Sequence, residues 1–247
     1  MSGHSKWSTI KRKKEATDQA RAKIFTKIGR EMTVCVKEGG PDPTTNAKLR
    51  DLIAKAKANN VPSDNIDRLI KKASGGEDKS DYISIVYEGY GPNGIAVIVE
   101  TLTDNKNRTA GDVRHYFDKF GGNLGTSGCV SFMFTSRGIV EVENNGYDED
   151  KLMEDCVESG ADDYSIEDDT VEFISAAADL HAVRDALTEK GYTILSAETA
   201  QIPDNYVTLT DEESIKKMNL LLEHLEDNDD VQNVWHNWEN PDAAEEE

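Results

Sequence analysis

The chain is predicted to be an α+β protein of several domains: an N-terminal three-helix bundle, an α/β second domain, and a ferredoxin-like domain inserted in the second. Three observations predict it. Up to about residue 80, apolar side chains recur at three- and four-residue spacing, the period of helices that bury one face. Beyond residue 80, short runs rich in valine, isoleucine and tyrosine alternate with further helical patterns. The charge divides at the same place: residues 1–80 hold 18 Lys+Arg against 10 Asp+Glu, and residues 81–247 hold 10 against 38. A net of +8 is thus joined to a net of −28 within one chain of net −20.

The first helix is carried by Ile24, Phe25, Ile28, Met32 and Cys35 or Val36, and Gly39-Gly40-Pro41 stops it. Thr44 or Thr45 is expected to cap a second helix that buries Leu49, Leu52, Ile53 and Ala56. Asn59-Asn60-Val61-Pro62 breaks that helix. Ser63 is expected to cap a third, with Ile66, Leu69, Ile70 and Ala73 on its inner face, ended by Ser74-Gly75-Gly76. Strands are expected at Tyr82–Tyr87 and Ile95–Glu100, a helix from about Arg108 to Phe120, a turn at Gly121–Gly125, and a third strand at Val130–Phe134. Residues 136–202 then read β-α-β-β-α-β, the ferredoxin-like order. A short strand at Tyr206–Leu209, a helix over 211–226 and a strand at Val231–Trp235 complete the second domain. The expected division is 1–80, then 81–135 plus 203–247, with 136–202 inserted.

The composition excludes several classes. No run approaches the 18 apolar residues of a membrane helix, and the opening MSGHSKWSTIKRKK lacks the apolar stretch of a secretory signal. Three scattered cysteines without a C-x-x-C fit a reducing compartment, so a cytoplasmic protein is expected. Gly89-x-Gly91-x-x-Gly94 matches a dinucleotide fingerprint as a string. That fingerprint must open a helix, whereas Gly94 opens a strand and Pro92 removes an amide donor, so a glycine-rich hairpin or loop is expected instead. There is no P-loop and no nucleophile motif. His4, His115, His181, His224 and His236 lack paired-ligand spacing. No catalytic residue, metal, cofactor or small-molecule substrate is expected.

The positive signal lies at the basic end. Lys6, Lys11, Arg12, Lys13 and Lys14 surround Trp7, and Arg21, Lys23, Lys27 and Arg30 follow. Cationic side chains tracking a phosphate backbone displace its counterions, and an exposed tryptophan can stack on an unpaired base. The competing reading has Trp7 stapling the bundle and the lysines merely solvating it. Lys106 and Arg108 form a second, weaker patch at the start of a helix, where a phosphate could meet the helix N-terminus. A simple cap by Asn107 or Thr109 explains that turn equally well. The segment 136–202 carries 4 Lys+Arg against 18 Asp+Glu and no aromatic run of the RRM type, which makes it a poor RNA reader.

Longer strings carry a resemblance. Met1-Ser-Gly-His-Ser-Lys-Trp7, Gly39-Gly-Pro-Asp-Pro43, Tyr87-Glu-Gly-Tyr-Gly-Pro92, Thr103-Asp-Asn-Lys-Asn-Arg-Thr109, Gly121-Gly-Asn-Leu-Gly125 and Asp229-Asp-Val-Gln-Asn-Val-Trp-His236 resemble the YebC/PmpR family over essentially the whole chain. Cys129 stands where the family often has serine, and the tail beyond Asn237 is longer and more acidic. The resemblance implies a helical bundle, an α/β domain and an inserted ferredoxin-like domain. It implies cytoplasmic DNA-binding transcriptional regulators, with relatives that act on the ribosome, and no established enzymatic activity or cofactor. The expectation is therefore a non-enzymatic regulator of gene expression that binds nucleic acid, DNA or ribosomal RNA, through its basic end. A ribosome-associated translation factor that relieves stalling, and a protein–protein adaptor, are the alternatives.

Overall fold

The computed structural model describes residues 18–76, 80–167 and 169–239, with side chains from residue 22 onward. The described chain is α+β, with two four-stranded sheets. It gathers into two compact units, one of residues 31–76 and 136–201, the other of residues 18–30, 80–135 and 202–239. Helix α1 (Asp18–Gly39) gives its first part to one unit and its last turns to the other.

Helix α1 ends where its glycines require. Gly40 takes a φ of 85°, and its N–H returns to the Val36 carbonyl. Helix α2 (Ala47–Ala58) is capped by Asn46 and not by Thr44 or Thr45. The Asn46 amide oxygen accepts from the Leu49 N–H, and its nitrogen donates to the carbonyls of Cys35 and Gly40. A hydroxyl could satisfy the helix end, but only the amide adds two donated bonds to the preceding helix. Thr44 closes an Asx turn on Asp42 instead. Helix α3 (Ser63–Ser74) follows Pro62, and Ser63 lies inside its first turn without capping it. Met32, Cys35, Val36, Leu49, Leu52, Ala56, Ile66 and Ala73 of these helices are buried, the faces that the spacing predicts.

The first sheet has the order β3-β1-β2-β8, antiparallel throughout. Its strands are β1 (Ile83–Tyr90), β2 (Ala96–Thr103), β3 (Asn123–Leu124) and β8 (Val231–His236). Strands β1 and β2 form the expected hairpin, and the glycine-rich string is its turn. β3 is a correction: residues 123–124, expected in a turn, pair with β1 at Gly89 and Tyr90. The approach is close enough to require glycine on both sides. A Cβ on Gly89 would lie 2.6 Å from the Asn123 carbonyl oxygen, and one on Gly122 would lie 2.5 Å from that of Tyr90.

Of Val130–Phe134, expected as a strand, residues 130–133 are a loop with one short helical turn at Ser131–Met133, and only Phe134 is in a strand, the first residue of the one that follows. The reason is Glu88. Its buried carboxylate accepts the N–H groups of Gly128, Val130 and Ser131 at 2.7–2.9 Å, which takes them out of reach of any ladder. Tyr206–Leu209 is likewise no strand; it makes a single bridge between Val207 and Trp238. Helices α4 (Lys106–Lys119) and α7 (Glu212–Asp227) cover this sheet. Val97 and Val99 meet Val113 and Phe117 of α4 and Met218, Leu221, Leu222 and Leu225 of α7 in one core.

The second sheet, ordered β5-β6-β4-β7, belongs to the ferredoxin-like segment. Its elements are β4 (Phe134–Glu143), α5 (Glu149–Ser159), β5 (Asp163–Ile166), β6 (Thr170–Ala176), α6 (Leu180–Glu189) and β7 (Ile194–Pro203). Val140 faces Phe173 across the β4–β6 pair, and Val142 faces Val171. These four close a core with Leu152 and Cys156 of α5 and Leu180, Val183 and Leu187 of α6.

A buried acid locks the two helices of this unit. Asp155 accepts from Lys151, from Lys190 at 2.8 Å and from the Tyr192 hydroxyl at 2.7 Å. Burial would raise its carboxyl, but the three hydrogen bonds outweigh burial and hold it down at about 2. Its folded value is depressed, so its contribution is complete above the ordinary carboxylate range and disappears as pH falls through about 2. That contribution is about 2 kcal/mol at neutral pH. Urea unfolding of Asp155→Asn should show most of this deficit at pH 6, and the gap to the parent should narrow steadily below pH 4. A constant gap across that range would contradict the assignment.

Candidate nucleic-acid interface

Lys6, Trp7, Lys11, Arg12, Lys13 and Lys14 lie outside the described residues, and of Arg21 only the backbone, in α1, is described. Lys23, Lys106 and Arg108 are placed, together with Lys27 and Arg30 of the same basic run.

The cations of α1 stand four and three residues apart, at 23, 27 and 30, so one helix face presents them together. That face meets the end of α7 and the turn after it. Lys23 pairs with Asp227 at 3.1 Å, and Lys27 donates to the Glu226 carbonyl at 2.7 Å. Arg30 reaches the Asp229 carbonyl at 2.8 Å and the Asp230 carboxylate at 2.6 Å. Lysine and arginine suit this place, because the last carbonyls of a helix are its negative end.

Arg108 converges on the same acid. Its guanidinium donates to both Asp230 oxygens, at 2.7 Å and 3.0 Å from Nη2, and to Asp104 at 2.9 Å. Thr103 and Thr109 donate their hydroxyls to Asp230 at 3.1 Å and 2.8 Å. Asp230 is only 3% exposed. Burial pushes its carboxyl up, and the bonds from Arg108, Thr109 and Arg30 more than reverse that, leaving it below its ordinary value. The cap of α4 is Asn105, whose side chain accepts from the Arg108 N–H, and not Asn107 or Thr109. Thr109 is buried and turned to Asp230. A carboxylate of the protein itself therefore occupies the first turn of α4, where the sequence suggested a phosphate.

Other cations remain outward. Lys106 and Arg114 of α4 are exposed and make no ion pair among the described residues. In the other unit, Lys48 and Lys57 of α2 and Arg68 and Lys71 of α3 are exposed in the same way. Arg68 and Lys71 share one face of α3 by their spacing. Sequence reasoning passed over these four because they fall outside the dense basic run. It also gave Asp230 no role, since the side chains that bond its carboxylate lie 121 to 200 residues away in the chain. The only signal was the acidic turn Asp227-Asn228-Asp229-Asp230 immediately before the strand at Val231.

Two family models match. The model of the TACO1/YebC N-terminal domain matches residues 5–76, and that of the TACO1/YebC second and third domains matches residues 82–238. The chain is 56% identical over 239 residues to a protein of Acetivibrio thermocellus named "Probable transcriptional regulatory protein", covering 96% of this chain and 99% of the relative. A protein of the same name from Ruminiclostridium cellulolyticum is 56% identical over 248 residues, with both chains fully covered. The fold matches the crystal structure of a conserved hypothetical protein from Aquifex aeolicus with a TM-score of 0.84 and 41% identity, over 95% of this chain and 97% of the other. With both family models matched in succession and relatives matched end to end, this chain is a member of the TACO1/YebC family.

Proposed function

We propose that this protein is a nucleic-acid-binding regulator of gene expression, and more narrowly a DNA-binding transcriptional regulator. The observation that carries the reading is full-length identity of 56% to relatives named as transcriptional regulatory proteins. The charge of +8 on residues 1–80 supports it, because a polyanion would be held there and repelled by the acidic remainder. Contact runs through Lys6, Lys11, Arg12, Lys13, Lys14, Arg21 and Lys23, with Trp7 stacking or wedging and Lys106 as an outlying contact. Arg108 acts by holding the turn before α4 in place. The working division is a basic helical domain of residues 1–80, an α/β domain of 81–135 plus 203–247, and the acidic insertion 136–202. The reading is non-enzymatic, and among the described residues no group of His, Cys, Asp and Glu is arranged to hold a metal. The reading also places its work in the cytoplasm; no helix among the described residues is long and apolar enough to cross a membrane.

The test is fluorescence anisotropy on a labelled random duplex between about 50 and 200 mM salt, where phosphate contacts dominate the slope. Replacing Lys11, Arg12, Lys13 and Lys14 by alanine should weaken binding and flatten log K against log salt by about 3 to 4. An unchanged slope would move the contact away from this segment. Trp7→Ala should cost about 1–3 kcal/mol on a single strand if the ring stacks on a base. Intact ribosomes serve as competitor: if excess duplex fails to displace them, the transcription reading falls in favour of a translation factor.

A further inference from the structure

We propose that the flank of the ferredoxin-like unit between α5 and the edge strand β5 is a docking surface for an extended, basic segment of another protein, one in which apolar residues alternate with lysine or arginine.

The flank is apolar at its centre. Met153 and Val157, one turn apart on α5, are 59% and 73% exposed, and Ile166 at the end of β5 is 42% exposed. Their placement follows from the other side of the helix. Lys151, Asp155 and Glu158 face α6, because Lys190 at its end bonds both acids. Met153 and Val157 therefore point away from α6. The sheet ends in that direction, since β5 is the outermost strand of the order β5-β6-β4-β7. Helix α5 packs beside β5, with Tyr164 of the strand set against the core that holds Leu152 and Cys156 of the helix. Ile166 pairs with Val171, a core residue, and so stands on the helix-covered face of the sheet. Helix and edge strand thus frame one apolar strip.

The charge around the strip selects the occupant. Residues 148–169 carry eleven carboxylates against one lysine. Asp162 is answered by Arg137 at 3.0 Å, but Glu149, Asp150, Glu154 and Asp163 make no ion pair among the described residues. A second copy of this edge would bring like charges together, which opposes self-pairing. Nucleic acid would be repelled. A basic strand is attracted instead. Added alongside β5, it would turn every second side chain onto Met153, Val157 and Ile166 and leave the intervening cations to the acidic rim.

The probe is a labelled eight-residue peptide alternating valine and arginine, titrated into the full-length protein. Two controls accompany it: a peptide of the same composition with its valines and arginines in separate blocks, and octa-arginine. The alternating peptide should bind about tenfold more tightly than either control, and M153Q/V157Q should lose about that factor. Both side chains are exposed, so the variant should unfold at the parent's midpoint and keep the parent's affinity for duplex DNA. Equal binding by octa-arginine, unchanged binding by M153Q/V157Q, or no binding of the alternating peptide would each overturn the proposal. Because duplex affinity is measured on the same variant, a failure here is separate from a failure of the nucleic-acid reading.

Discussion

Asp230→Ala is expected to lower stability by about 3 kcal/mol, read as a drop in the urea midpoint at unchanged slope. The carboxylate is buried and receives donors from four side chains on three elements: Arg30 of α1, Thr103 of β2, and Arg108 and Thr109 of α4. Alanine leaves two guanidinium groups facing each other without their shared counter-ion and takes the charged acceptor from the Thr103 and Thr109 hydroxyls, of which Thr109 keeps the Asn105 carbonyl; stranded polar groups cost more than the bonds themselves contribute. Thr103 and Thr109 are fully buried, so their hydroxyls lose a charged acceptor away from bulk water. Arg108→Ala should cost less, about 1 kcal/mol, because its side chain is 46% exposed and its other partner, Asp104, is a surface acid. The order of the two effects is the sharper test. The Asp230 carboxyl is depressed in the folded state, so its contribution stands above the ordinary carboxylate range and is lost as pH falls through its folded value. The gap between Asp230→Ala and the parent should therefore shrink in acid. If Arg108→Ala were the more damaging change, Asp230 would not be the centre of the network.

The second large effect is expected in the other unit. Arg184 of α6 is 3% exposed and Asp51 of α2 is 6% exposed. The guanidinium donates to Asp51 through Nη1 and to Asp185 at 2.7 Å through Nη2, while His181 approaches the far oxygen of Asp51 at 3.2 Å. Removing one member of a buried pair strands the other, at a cost of about 3–5 kcal/mol. Asp51→Ala should fall at the lower end, because Asp185 still accompanies the cation. Replacing both by apolar residues of similar volume, as in D51L/R184M, should recover most of the loss, since neither charge then needs solvation. The double-mutant cycle should accordingly be far from additive. Additive losses in the double variant would show that packing, and not the ion pair, sets the cost.

These two acids mark where sequence reasoning stops. Local pattern was legible: α1 stops at its glycines, the apolar run Ile95–Glu100 gives strand β2, and the β-α-β-β-α-β order of 136–202 follows from runs a few residues long. Each of those signals is set by neighbours along the chain. The strand expected at Val130–Phe134 failed because its amides are held by Glu88, about 40 residues earlier. Of the expected caps, Thr44 and Thr45 turn to Asp42 while Asn46 closes the helix, Ser63 falls inside its first turn, and Thr109 is recruited by the distant Asp230.

The amino-acid sequence by itself determined the helices and most of the strands, the family, and the division into a basic N-terminal segment and an acidic remainder, because periodicity, motif strings and charge are all properties of the linear chain. Which cations stay free for a polyanion was decided only by the tertiary structure. Arg30 and Arg108 looked available to phosphate in the sequence. Folding brings Asp230 within hydrogen-bond distance of both, and at such range a buried carboxylate competes for a guanidinium that the sequence counts as free.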